Sequence, residues 1–129
     1  MNTDRTEMNR LTEKVIGAVF EVSNTLGAGF LEKVYERALV TELGLRGVRA
    51  AAQVPLQVSY KGHEVGEYFA DIVVEDELIV ELKAAHLVAD EHVAQLLGYL
   101  RASRIEHGLL VNFGAAKFQI KKYIQNDFV

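Results

Sequence analysis

The sequence contains no cysteine. That excludes disulfides, zinc ribbons, cysteine-ligated iron–sulfur clusters and cysteine nucleophiles, and it makes a reducing compartment the default expectation. Proline occurs once, at Pro55, and tryptophan is absent. No uninterrupted apolar run approaches the ~18–20 residues of a membrane span. The opening Met1-Asn2-Thr3-Asp4-Arg5-Thr6-Glu7 lacks the basic-then-apolar plan of a signal peptide. The expectation is a cytoplasmic protein with no membrane partner. No repeat, low-complexity stretch or Pro/Ser-rich linker is present. A basic excess is missing too: the formal net charge is −4, so a global positive surface cannot be invoked for a nucleic-acid partner.

What is present is an ordinary globular balance, with 50% hydrophobic and 25% charged residues in a chain of 129. That length fits a single domain, 1–129, able to bury a core without staples. Acidic residues outnumber basic ones 10 to 4 between residues 41 and 100, and the sign reverses, 2 to 5, beyond residue 100. Leu11, Val15, Ala18, Val19 and Val22 recur on one face of a 3.6-residue period and predict a helix over 9–24. A second helix is expected over 30–43, with Gly44 as its stop. The period then changes to two. Val54, Leu56, Val58 and Tyr60 predict one strand, Lys61-Gly62 a turn, and 64–74 and 78–83 two more strands around the acidic loop Glu75-Asp76-Glu77. Helical spacing returns over 90–102, Gly108 to Phe113 is β-rich, and Phe118, Ile120 and Ile124 suggest a last short strand or tail. The order α-α-β-β-β-α-β implies an α/β fold with a mixed central sheet flanked by helices.

The most informative segment is Ala70 to Lys83. With the three acidic residues as its loop, Val74 faces Leu78, Val73 faces Ile79, Ile72 faces Val80, and Asp71 faces Glu81. A period of two then puts Asp71, Glu81 and Lys83 on one face, with Ala70, Ile72, Val74, Leu78, Val80 and Leu82 on the other. Opposed like charges destabilise a sheet, and burial compounds the cost or forces one carboxyl to protonate. A divalent cation resolves both problems, and hard oxygen ligands suit Mg²⁺ or Mn²⁺. The same residues also fit an exposed edge hairpin with solvated acids and an ordinary Glu–Lys pair. Gln95 and Tyr99 share a helix face as i, i+4 neighbours. Glu32 and Tyr35 are i, i+3 neighbours on the second helix, with Glu36 extending that face. On spacing alone these are packing-boundary pairs and a favourable helix-dipole charge. His86 and His92 are candidate ligands or bases whose ordinary role is a boundary residue.

Ala70-Asp71 followed by Glu81-Leu82-Lys83 resembles the signature of the PD-(D/E)xK nuclease superfamily, with alanine at the nominal proline. Three blocks resemble its GxxExxY family more closely: Gly29-Phe30-Leu31-Glu32-Lys33-Val34-Tyr35, His92 to Leu100, and Gly108 to Gly114. The resemblance implies a restriction-endonuclease-like core and a Mg²⁺- or Mn²⁺-dependent nuclease, with DNA as the expected partner. It also implies Asp71 and Glu81 as metal ligands, Glu32 as a further acid at the metal, and Lys83 as the catalytic lysine. Gln95, Tyr99 and Tyr35 would meet substrate. A catalytically silent nucleic-acid-binding or protein-interaction module on the same fold is the rival. A third reading is a homo-oligomer or subunit whose partner supplies the grip on DNA.

Overall fold

The structure is a computed structural model that describes residues 5–115 and 117–125; the polar start Met1–Asp4 lies outside them. Among the described residues there are three helices and five strands: α1 (Arg5–Leu26), α2 (Glu32–Leu45), β1 (Ala50–Tyr60), β2 (His63–Val74), β3 (Leu78–Lys83), α3 (Asp90–Ser103), β4 (His107–Asn112) and β5 (Gln119–Ile124). The expected order is met, and the tail forms a real strand. The helices begin and end differently from the periodicity: α1 extends both ways, and α2 starts at Glu32 and passes Gly44 before stopping. Gly44 has no positive φ, so it ends nothing.

The strands form one mixed sheet in the order β1-β2-β3-β4-β5. All neighbours are antiparallel except β3 and β4, which run parallel and are joined by the α3 crossover. Helices α1 and α2 cover one face. Met8, Leu11, Val15, Tyr35 and Leu39 pack there against Ile72, Val74, Leu78, Val80 and Leu82. Helix α3 covers the other, where Leu96, Tyr99 and Leu100 meet Ala70, Val73, Ile79 and Leu110. The central β3 is therefore buried on both sides, each Leu, Ile or Val there worth roughly 1.5–3 kcal/mol. The first half of β2 projects with β1 beyond this cover, leaving Tyr60, Val65, Tyr68 and Phe69 exposed.

The β2–β3 hairpin has the expected register, with Val74 opposite Leu78, Val73 opposite Ile79 and Ile72 opposite Val80. The expected next pair, Asp71 with Glu81, is not a ladder pair. On the other side of β2, Ala52 pairs with Ile72 and Val54 with Ala70, while Gln53, opposite Asp71, has φ 53° and pairs with nothing in the ladder. The pleat turns over at this point. Ala70, expected to share a face with Ile72 and Val74, instead joins Val73 and Ile79 beneath α3. β1 changes face at the same level: Ala50 packs with the α1/α2 core, while Val54 and Leu56, beyond the left-handed Gln53, pack beneath α3. The strict alternation from which Ala70's direction was read therefore does not hold across this level.

Candidate active site

Asp71 thus sits where the sheet opens, without a ladder partner on either side. Buried backbone groups need partners, and here the carboxylates supply them. Asp71 N–H donates to Glu81 Oε2 at 2.7 Å, and Leu82 N–H donates to Asp71 Oδ2 at 2.8 Å. Each acid clasps the other's strand. This fixes both carboxylates through main chain, and Leu82 turns away into the α1/α2 core.

The electrostatics are those of a site held under tension. Glu81 is 3% exposed. Burial first, and then the Asp71 carboxylate, push its pKa up to about 8, against the lowering effect of the Asp71 N–H bond and Lys83. Asp71 is also raised, mainly by burial, with Glu36 and Glu32 adding to it and the Leu82 N–H bond and Lys83 opposing. Lys83 Nζ reaches Gln95 Oε1 on α3 at 3.5 Å.

Asp71, Glu32, Glu36 and Gln53 line a cleft of about 490 Å³ at the start of α2, together with Phe30 and Leu31. Glu36 is buried, paired with Lys33 at 3.2 Å, and accepts from Gln53 Nε2 at 2.7 Å. The same Nε2 lies 3.5 Å from Asp71 Oδ1. Gln53 and Glu36 therefore connect α2 to Asp71. Gln53 does not stand out in the sequence; Glu36 does so only by extending the face of Glu32.

The spacing Gly29-x-x-Glu32-x-x-Tyr35 has a local explanation. Gly29 takes φ 110°, open to glycine and strained for other residues. Tyr35 Oη donates to Gly27 O at 2.7 Å and accepts from Phe30 N–H at 3.2 Å, closing the loop before α2. Its ring stacks on Phe113 at 4.4 Å. Tyr35 was expected to meet substrate; it is fully buried in the α1/α2 core, because its hydroxyl is needed to satisfy this loop. Glu32 is exposed in the first turn of α2. It lies near enough to raise both site carboxyls.

Gln95 and Tyr99 lie on the other side of the sheet, lining a second cleft between α3 and the β1–β2 hairpin. Tyr99 feels both acids: burial first, then Glu81 and Asp71, raise its hydroxyl's pKa. His86 is exposed, and His92 Nδ1 accepts from Ala89 N–H at 3.1 Å and caps α3. Neither lines this cleft or the one at α2. Asn112, fully buried, was also missed. Its Oδ1 accepts from Ala85 N–H (3.1 Å) and Gly114 N–H (3.0 Å), and its Nδ2 donates to Ala85 O (2.9 Å). With Phe113 N–H on Lys83 O at 2.9 Å, this knot fixes the end of β3 that carries Lys83. Gly114 lies so close to Ala84 and Ala85 backbone that a Cβ there would overlap it.

Among the described residues, no group of three His, Asp or Glu side chains is close enough to hold a metal ion, so Glu32 does not form a ligand trio with Asp71 and Glu81. Magnesium is commonly held by one or two carboxylates, with waters and substrate phosphates completing the shell. Two oxygen donors whose charges are mutually costly fit that requirement. No helix among the described residues is long and apolar enough to cross a membrane.

Residues 9–124 match the PD-(D/E)XK nuclease superfamily. No curated protein matches the chain. Among solved structures, the crystal structure of a protein called SSO0001 is similar, with a TM-score of 0.59 and 21% identity, over 91% of this chain and 58% of that one. This chain therefore spans little more than half of that protein's length, and the likeness is one of fold.

Proposed function

Because the chain belongs to the PD-(D/E)XK nuclease superfamily, we propose that it is a nuclease dependent on a divalent cation, Mg²⁺ or Mn²⁺, that hydrolyses phosphodiester bonds in DNA. Its GxxExxY-type motif, Gly29 to Tyr35, serves this site by shaping the loop beside Asp71. The observation that carries the reading is the clasp of Asp71 and Glu81, which holds two raised carboxyls where the sheet opens. A fold needs no such pair.

Asp71 and Glu81 would hold the cation, which supplies Lewis-acid polarisation of the scissile phosphate. The chain's own contribution is position and charge. The backbone donors of Asp71 and Leu82 keep the carboxylates from rotating, so their geometry is set before substrate arrives. Lys83, two residues after Glu81, places a cation where charge develops on the phosphate, and Gln95 steadies its Nζ. Glu32 adds negative charge at the mouth of the cleft and Tyr99 borders the acids from α3.

A binding module without turnover is the second reading. The observation favouring it is that, among the described residues, no third metal-ligating side chain joins the pair. Cleavage of labelled single-stranded, duplex and branched DNA, and of RNA, with Mg²⁺ and with Mn²⁺, separates the two. Wild type should cleave. Lys83→Ala should lose at least a hundredfold in kcat while still binding metal, and Glu81→Ala should lose metal and activity together. Metal binding without cleavage of any substrate would favour the binding module. Equal cleavage by wild type and both variants would place the chemistry elsewhere.

A further inference from the structure

The two clefts differ in chemistry. The one at α2 gathers Glu32, Glu36 and Asp71. The one between α3 and the β1–β2 hairpin, about 810 Å³, is lined instead by Tyr68, Tyr99, Gln57, Gln95, Arg101 and Arg104. In a chain of net charge −4, this cleft is lined by Arg101 and Arg104 and, among the described residues, by one acid, Glu91. Tyr68 is 50% exposed, and its ring stands 5.8 Å from that of Tyr99, tilted by 46°. The Lys83–Gln95 contact joins this cleft to the proposed catalytic lysine.

We propose that this second cleft is a binding track for single-stranded nucleic acid, in which an unpaired base stacks on Tyr68 and a backbone phosphate meets Arg101. An exposed ring beside guanidinium groups is the combination that holds single strands: the π-face accepts any base and the cation takes the phosphate. A duplex hides its base faces in its own stack, so it cannot use Tyr68. The helix–hairpin walls leave Tyr68 open to the strand, while Tyr99, almost covered, backs it. The track deepens the nuclease reading, on which its choice of ligand rests, by making the substrate single-stranded next to the site.

The test is binding, measured without cleavage. Fluorescence anisotropy of labelled 12-nucleotide DNA, 12-nucleotide RNA and a 12-base-pair duplex would be read on the full chain in chelator. Single strands should bind at least tenfold tighter than duplex. Tyr68→Ala should weaken single-strand binding about tenfold, within the range for base–aromatic stacking, and Tyr68→Phe should restore it because only the hydroxyl is lost. Arg101→Ala should weaken binding and reduce the slope of log K against log salt by about one phosphate contact. Preference for either sugar supports the track and names the substrate. Wild-type affinity in both Tyr68→Ala and Arg101→Ala, duplex bound as tightly as single strand, or no binding of single strands overturns it. Binding that follows these rules in a protein that never cleaves would refute the nuclease reading and leave the track standing.

Discussion

Replacing Glu81 by glutamine tests whether the clasp stores charge or merely holds strands together. In the folded, metal-free protein this carboxyl titrates at about 8 rather than at its ordinary 4.5. Below pH 4.5 folded and unfolded states are both protonated, and stability is at its full value. As pH rises from there to 8 the unfolded chain releases the proton while the folded chain keeps it, and stability falls by about 1.4 kcal/mol per pH unit. The loss is complete above pH 8 and amounts to about 4–5 kcal/mol. Asp71, also raised, adds in the same direction at lower pH. Glu81→Gln keeps an oxygen to accept from Asp71 N–H and removes the charge. In chelator at pH 9 the variant should be the more stable by at least half of that figure, or about 10 °C in Tm for a domain of this size. At pH 5 the gap should nearly close. Taking the difference between the two proteins cancels His107, whose pKa is lowered by burial and by Lys122. Saturating Mn²⁺ at pH 8 should raise wild-type Tm and leave the variant unmoved. Thermal melts by circular dichroism across pH 5–9 check all three. A variant less stable than wild type at pH 9, or a gap that does not change with pH, would refute the reasoning.

Asn112→Ala leaves Ala85 N–H, Ala85 O and Gly114 N–H without their partner; chemical denaturation should show a loss of about 3 kcal/mol, with cleavage falling because the β3 end loosens. Tyr35→Phe removes only the hydroxyl that bridges Gly27 O and Phe30 N. It should cost about 1–2 kcal/mol of stability and leave single-strand binding unchanged, and a loss of binding with unchanged stability would return Tyr35 to the substrate.

The parts of the fold that follow from period were legible. The α1 stripe, the β3 run and the three hairpin pairs from Val74–Leu78 to Ile72–Val80 come directly from side-chain alternation and loop centring. The nearness of Asp71, Glu81 and Lys83 was legible too, but not the way the two acids meet, through each other's strand N–H groups instead of as a ladder pair. What escaped depends on a single backbone angle or on satisfaction of buried groups. Nothing in Ala52-Gln53-Val54 announces a left-handed residue in mid-strand, yet at its level both strands change face and Asp71 has no ladder partner. Asn112 reads in sequence only as part of the β-rich run Gly108 to Phe113, and its value lies in a segment 27 residues away. The burial of Tyr35 was hidden for the same reason: helix spacing gives its face, but nothing in the sequence shows the loop that claims its hydroxyl.

The opening at Asp71 explains why the site can be both rigid and electrostatically costly. A continuous ladder would consume the N–H groups of Asp71 and Leu82 in strand pairing and leave two opposed carboxylates with no donors. Breaking it on both sides, at Gln53 and before Glu81, frees those donors to hold the acids. Neutral acceptors could satisfy the same N–H groups without the burial penalty that raises both carboxyls. Retaining acids there is a local rule broken, of the kind that marks function and not stability. The direction of the Glu81→Gln effect therefore reports on role. A clasp kept for structure should weaken when its charge-assisted bonds become neutral ones. A clasp kept for a cation should strengthen until the cation is supplied.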